Sequence, residues 1–233
     1  MAFSPRGCNY EIMSYKRIPL ITGEFYHIYN RSIAKEPVFH LPLYLKQAIN
    51  TTDYYRLPQI KRLSVFKAFT TSDQLNYVTF MERLEPLVKI YAFAFMPNHF
   101  HFLVRQNKDE GINKFISKFQ NSFAKCFNVI NDRNGGLFQD RFKSKIITSI
   151  NEFTHISRYV HLNPVTSSLI TIEELELSPL TSYSWYMNSK LNRFIDDNTI
   201  LEHFKSVSKY AEFIKNQVDY QKRLRKIKNL ILE

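Results

Sequence analysis

The chain has 233 residues, with 32 Lys and Arg against 21 Asp and Glu and so a formal net charge of +11. A hydrophobic fraction of 44% at this length supports one substantial core with an appendage, so the charge rides on a folded body and favours polyanionic partners, nucleic acid first, because each Lys or Arg set on a phosphate releases a condensed counterion. Two distant cysteines, Cys8 and Cys126, exclude a disulfide framework or thiolate zinc site, no apolar run nears the roughly 20 residues of a membrane helix, Met1-Ala-Phe-Ser-Pro-Arg6 lacks a signal-peptide stretch, and five glycines form neither a phosphate loop nor a dinucleotide fingerprint, so a cytoplasmic protein with no membrane partner and no nucleotide cofactor is expected.

Residues 1–22 show little periodicity and read as an N-terminal arm. The aromatic-rich run from Glu24 to Asn30 is the first strand, with Arg31-Ser32 as its exit. From Leu41 to about Leu87, apolar residues such as Leu63, Phe66, Phe69, Leu75 and Val78 recur at three and four residues, broken by Pro58 and a cap signal at Ser72-Asp73, which predicts an insertion of two or three helices. Val88 to Phe95 reads as a buried strand, and Met96-Pro-Asn98 turns it into a second strand from His99 to Arg105.

Gly111 opens a helix with Ile112, Phe115, Ile116, Phe119, Phe123 and Phe127 on one stripe and Lys114, Lys118 and Lys125 opposite, ending near Asn134-Gly135-Gly136. A loop from Leu137 leads to a fourth strand ending at Ile147, and Asn151 caps a helix expected to stop at Asn163, before Pro164. Beyond Pro179 a second, helical region carries Trp185 and ends in the basic run Lys222-Arg-Leu-Arg-Lys-Ile-Lys228. The order strand, helices, strand, strand, helix, strand predicts an α+β fold: a ferredoxin-like antiparallel sheet with helices packed on one face, plus a helical C-terminal extension.

In His99-Phe100-His101 the imidazoles stand two residues apart, so on a strand both project from one face, which Arg105 shares, while Phe100, Phe102 and Val104 point to the other. Taken alone, the pair fits metal ligands and buried, hydrogen-bonded core histidines equally. The helix that follows sets Tyr159 and Asn163 four residues apart, a phenol and an amide on one side. Two imidazoles and an amide leave open positions for phosphate oxygens on a divalent ion, which can polarise a phosphodiester. On spacing alone the plainer reading comes first: a packing tyrosine and an asparagine that merely ends the helix.

Three blocks are more specific. Met96-Pro-Asn-His-Phe-His-Phe-Leu-Val104, Gly136-Leu-Phe-Gln-Asp-Arg-Phe-Lys-Ser144 and Arg158-Tyr-Val-His-Leu-Asn-Pro-Val165 resemble, in order, signatures of the single-tyrosine HUH transposases of the insertion-sequence type, specifically the REP-associated tyrosine transposases. The resemblance covers roughly residues 23–185. It implies a metal-dependent endonuclease and strand transferase acting on single-stranded DNA beside a folded hairpin, through a 5′-phosphotyrosine intermediate. It further implies Tyr159 as nucleophile, His99, His101 and Asn163 as ligands, and Mg²⁺ or Mn²⁺ as the ion. A catalytic domain over 23–165, with its insertion at about 41–87, would then precede a basic extension over 166–233, and the protein would act as monomer or homodimer. The chain departs from the family at Thr166-Ser167, where Arg-Ala is common, in its long insertion, and at Asn163, where the broader family often has Gln.

Other residues carry less. Arg141, Lys143 and Lys145 around the fourth strand are candidates for phosphate contacts, and equally for a solvated basic face. Lys222, Arg223 and Arg225 read as an electrostatic clamp or as a solvated helix. Gln139 and Asp140 fall in a matching block, His155 lies one turn before Tyr159, and Phe25, Tyr26 and Tyr29 are expected to be core aromatics rather than base-stacking ones. The competing readings are a non-cleaving DNA- or RNA-binding protein and a metal-dependent nuclease that uses water.

Overall fold

The computed structural model describes residues 19–216; Cys8, most of the arm, and Lys222, Arg223 and Arg225 lie outside the described residues. Strands β1 (Phe25–Arg31), β2 (Val88–Met96), β3 (His99–Gln106) and β4 (Lys143–Ile147) form one sheet in the order β2-β3-β1-β4, every neighbouring pair antiparallel. The two central strands are thus the first and third, the ferredoxin-like arrangement expected of the sequence order.

The insertion is three helices, α1 (Pro42–Tyr55), α2 (Leu63–Lys67) and α3 (Thr71–Glu82). The cap of α3 is Thr70, whose hydroxyl accepts from Asp73 N, rather than the Ser72 expected. Helix α4 (Gly111–Ile130) buries the whole predicted stripe against the sheet. Phe119 meets Phe100 and Phe102 at ring distances of 5.1 and 5.5 Å, and Phe127 meets Tyr44 of α1 at 4.9 Å. Each buried Phe contributes roughly 1.5–3 kcal/mol through the area withdrawn from water. Gly111 is required by close approach: a Cβ there would fall 2.3 Å from the Leu87 carbonyl oxygen.

Helix α5 (Ile150–Thr166) lies on the other face, with Phe153 edge-on to Phe25 at 5.0 Å and to Tyr91 at 5.1 Å. The one-face helical layer therefore holds for α1 and α4, while α5 takes the opposite face because its apolar stripe needs sheet surface that α4 has not covered. Its cap is Ser149 rather than Asn151: the Ser149 hydroxyl accepts from Glu152 N, and the Glu152 carboxylate accepts from Thr148 N. Pro164 does not stop the helix, which continues to Thr166. A proline so near the end forfeits one amide donor, and Ser167 N, Ser167 Oγ and Thr166 Oγ1 all donate to the Asn163 carbonyl.

Described residues after α5 form short helices, α6 (Tyr183–Met187), α7 (Asn198–Leu201) and α8 (Val207–Lys215), joined by turns and single 3-10 turns. The stretch 180–196 covers the outer edge of β2: Phe95 N donates to Leu180 O, Ser182 N to Phe93 O, and Asp196 N to Ile90 O. Covering an edge satisfies backbone groups that would otherwise recruit another strand. Behind the tyrosine helix, His161 bonds Ser182 Oγ and Tyr210 Oη, each at 2.9 Å, and Tyr210 Oη bonds Ser157 Oγ at 3.1 Å. Burial lowers the His161 pKa from 6.5 to about 3 and keeps the ring neutral.

Candidate active site

Alternation on β3 sends Phe100 and Phe102 into the α4 layer and His99 and His101 to the α5 face. The imidazole centroids are 5.1 Å apart. Each histidine has its Nδ1 engaged: His99 with Asn98 Oδ1 at 2.7 Å, and His101 with His27 Nε2 at 2.9 Å. This is the outer hydrogen bond that ligating histidines commonly make, and it leaves Nε2 as the nitrogen that would face a metal.

Helix α5 brings Tyr159 over this face. Its ring stands edge-on to His101 and to His27, each at 5.7 Å, and is 42% exposed, so the phenol borders the histidines without being sealed in the core. Because α5 runs from Phe153, against Phe25, to Tyr159, against His101, Asn163 follows one turn farther toward the His99 end of β3. Asn163 is buried, and its Nδ2 donates to the Tyr159 carbonyl at 3.0 Å, so Oδ1 is the end of the amide that could serve a cation. Among the described residues no group of three or more His, Cys, Asp or Glu could hold a metal ion. Two imidazole nitrogens and an amide oxygen are a donor set compatible with a divalent cation.

His27 is the site residue that sequence reading missed. It lies on β1 opposite Leu103, diagonal to His101, and stacks on Tyr29 and His101 at 5.2 and 5.1 Å. Burial first, and the Lys145 charge second, lower its pKa from 6.5 to about 4, so its ring is neutral and its Nε2 can accept a hydrogen bond from His101 Nδ1. Alternation along β1 would have revealed it once β1 was known to pair with β3.

The basic candidates separate. Lys143 and Lys145 pair with Tyr29 and His27 across β1–β4 and so share the tyrosine face. Lys143 Nζ lies 6.0 Å from the Tyr29 ring centre, whereas Lys145 is drawn into a 2.7 Å ion pair with Glu152. Arg141 is exposed beside them. Arg105 shares the histidine face but sits at the far end of β3, its Nε on the Gly23 carbonyl and its guanidinium over Phe25. Gln139 ties its backbone to Arg31 and Asn30. His155 turns to Arg158, whose guanidinium stacks on Phe213 of α8, and so serves the helix rather than the tyrosine. Tyr26 is buried as expected, while Phe25 and Tyr29 are only half-buried.

Residues 59–163 match the family described as Transposase IS200 like. The matched stretch contains His99, His101, Tyr159 and Asn163 and begins after β1, so it leaves out His27. No curated protein gives a significant match in sequence. Among solved structures, the chain is similar to one described as the REP-associated tyrosine transposase bound to a REP hairpin, with TM-score 0.49 and 16% identity over 77% of this chain and 88% of that one. No described helix is long and apolar enough to cross a membrane.

Proposed function

With residues 59–163 matching the IS200-like transposases, we propose that this chain is a cytoplasmic, metal-dependent single-stranded DNA endonuclease and strand transferase that cuts beside hairpins. In the reaction, Tyr159 Oη attacks a DNA phosphorus, the Oη–P bond forms as the P–O3′ bond breaks, and the phenolic proton is lost while the departing 3′ oxygen gains one. The product pair is a 5′-phosphotyrosine and a free 3′-hydroxyl. A 3′-hydroxyl from another strand then reverses the step, which conserves the bond energy without a nucleotide.

The observation that carries this reading is the placement of an exposed phenol against two inward-facing histidines of the same chain, Tyr159 over His101 and His27. That arrangement serves attack in cis and does not require a partner's helix. His99, His101 and Asn163 would hold Mg²⁺ or Mn²⁺. When bound, such an ion polarises the phosphate and offsets the charge that develops on it. His27 holds His101 in orientation, and Lys143 supplies a cation beside the site. The hairpin preference rests on the three sequence blocks shared with the REP-associated branch. Residues 23–165 form the catalytic domain in this reading.

The test is incubation with a pool of hairpin-bearing single-stranded DNA and Mg²⁺ or Mn²⁺, followed by a denaturing gel and peptide mass spectrometry. A covalent species mapped to Tyr159 and lost with EDTA is the expected result. Cleaved DNA without an adduct would instead indicate a water-using nuclease, and binding without cleavage a non-cutting binder.

A further inference from the structure

On the side of the sheet away from Tyr159, the insertion and α4 enclose a cleft of about 1230 Å³. It is larger than the roughly 300–1,000 Å³ that holds a small molecule. Its wall carries Lys61, Arg62, Lys67, Lys118 and Lys125 against one carboxylate, Asp140. None of these five cations takes part in an ion pair among the described residues. The ammonium groups of Lys67 and Lys118 rest instead on neutral oxygens, Gln47 Oε1 at 2.9 Å and the Gln59 carbonyl at 3.0 Å.

A second observation is independent of charge. Two amide atoms of residues lining the same cleft, Gln59 Oε1 and Gln120 Nε2, are buried without a hydrogen-bond partner. Buried polar atoms are almost always satisfied, and of these two the donor, Gln120 Nε2, is the one that suits the acceptor oxygens of a phosphodiester. The cleft also leads somewhere. Its far wall is the loop 135–140, and Gln139 there bonds Arg31, the residue paired with His99 at the end of β3.

We propose that this cleft is a second DNA site, one that grips the phosphodiester backbone of the same strand whose cleavage point lies at Tyr159. Four lysines and one arginine act as charges spread along a wall rather than as a base-reading fork, so the grip is independent of sequence. The proposal takes DNA as the substrate from the function proposed above, but its own residues lie outside the tyrosine site.

The experiment compares the full chain with a variant carrying Lys61→Gln, Arg62→Gln, Lys67→Gln and Lys125→Gln, four exposed positions, after thermal melts establish that both are folded. Affinity for hairpin-bearing DNA is measured from low to high salt. The variant is expected to show a log-affinity against log-salt slope shallower by about 3, since each phosphate contact contributes roughly 0.7–0.9. In parallel, DNA should shield Lys61, Lys118 and Lys125 from acetylation, read by mass spectrometry on the unaltered chain. An unchanged slope in a folded variant, or equal acetylation with and without DNA, overturns the cleft as a DNA site, as does failure of the unaltered chain to bind DNA at all. A shallower slope without any Tyr159 adduct would keep the cleft and remove the nuclease.

Discussion

The two faces of β3 are built from alternate residues of one eight-residue strand, and they obey different rules. On one, Phe100 and Phe102 vanish into a layer of aromatic side chains from α4, where every ring has several others to touch. On the other, His99 and His101 meet His27, Tyr159 and Asn98, groups with nitrogen and oxygen at their tips. The first face stabilises the sheet by withdrawing apolar area from water, and the second presents polar atoms whose arrangement depends on that rigidity. A substitution on one face should therefore be read by denaturation, and on the other by chemistry.

The sharpest separation is expected from Tyr159→Phe, which abolishes the covalent adduct while leaving the melting temperature and DNA binding unchanged, because only a hydroxyl on a ring 42% exposed is removed. Adduct formation at another tyrosine would break the assignment. Phe119→Ala on the opposite face should cost about 3–5 kcal/mol by chemical denaturation, since the ring is fully buried against Phe100 and Phe102. A loss below about 1 kcal/mol would show that the aromatic layer is not the foundation described.

His27→Phe tests the join between the faces. It keeps a flat ring but removes the acceptor at His101 Nδ1, so Mn²⁺ affinity followed by electron paramagnetic resonance should fall about 10–100-fold. His27→Gln, whose amide oxygen can accept, should restore part of it. The smallest effect concerns acid. Folded His161 keeps a pKa of about 3, whereas an unfolded histidine takes up a proton near 6.5. The unfolded state therefore binds more protons below 6.5, and stability falls as pH drops from there toward about 3. Between pH 7.5 and 5.5 the His161 share of the loss is about 1.4 kcal/mol, and His161→Gln should remove that share while His27, held at about 4, keeps its own.

Much of this was legible in the sequence because it rests on local period. The hairpin of β2 and β3, the stripe of α4 and the shared face of His99 and His101 follow from spacing, and the IS200-like match agrees with the family read from three short blocks. What escaped depends on partners far along the chain. His27 acquires a role only through pairing with a strand more than seventy residues away. The cover over β2 comes from residues 180–196, which carry no strand pattern of their own. Lys118 and Lys125 were visible as a basic helix face, but only the fold sets Lys61 and Arg62 across from them. Pro164 read as a stop because the three donors that collect on the Asn163 carbonyl cannot be seen from a proline alone.

The hydrogen-bond chain behind α5 has a consequence for timing. It runs from Phe93 N through Ser182, His161 and Tyr210 to Ser157, so the groups that brace the tyrosine helix include one on α8, made well after α5 itself. Synthesis proceeds from the N-terminus, and a ribosome that has released the sheet and both histidines has yet to deliver Tyr210. The Tyr159 phenol thus gains its backing only after α8 has been made, and a product cut short before Tyr210 would carry the blade without its handle.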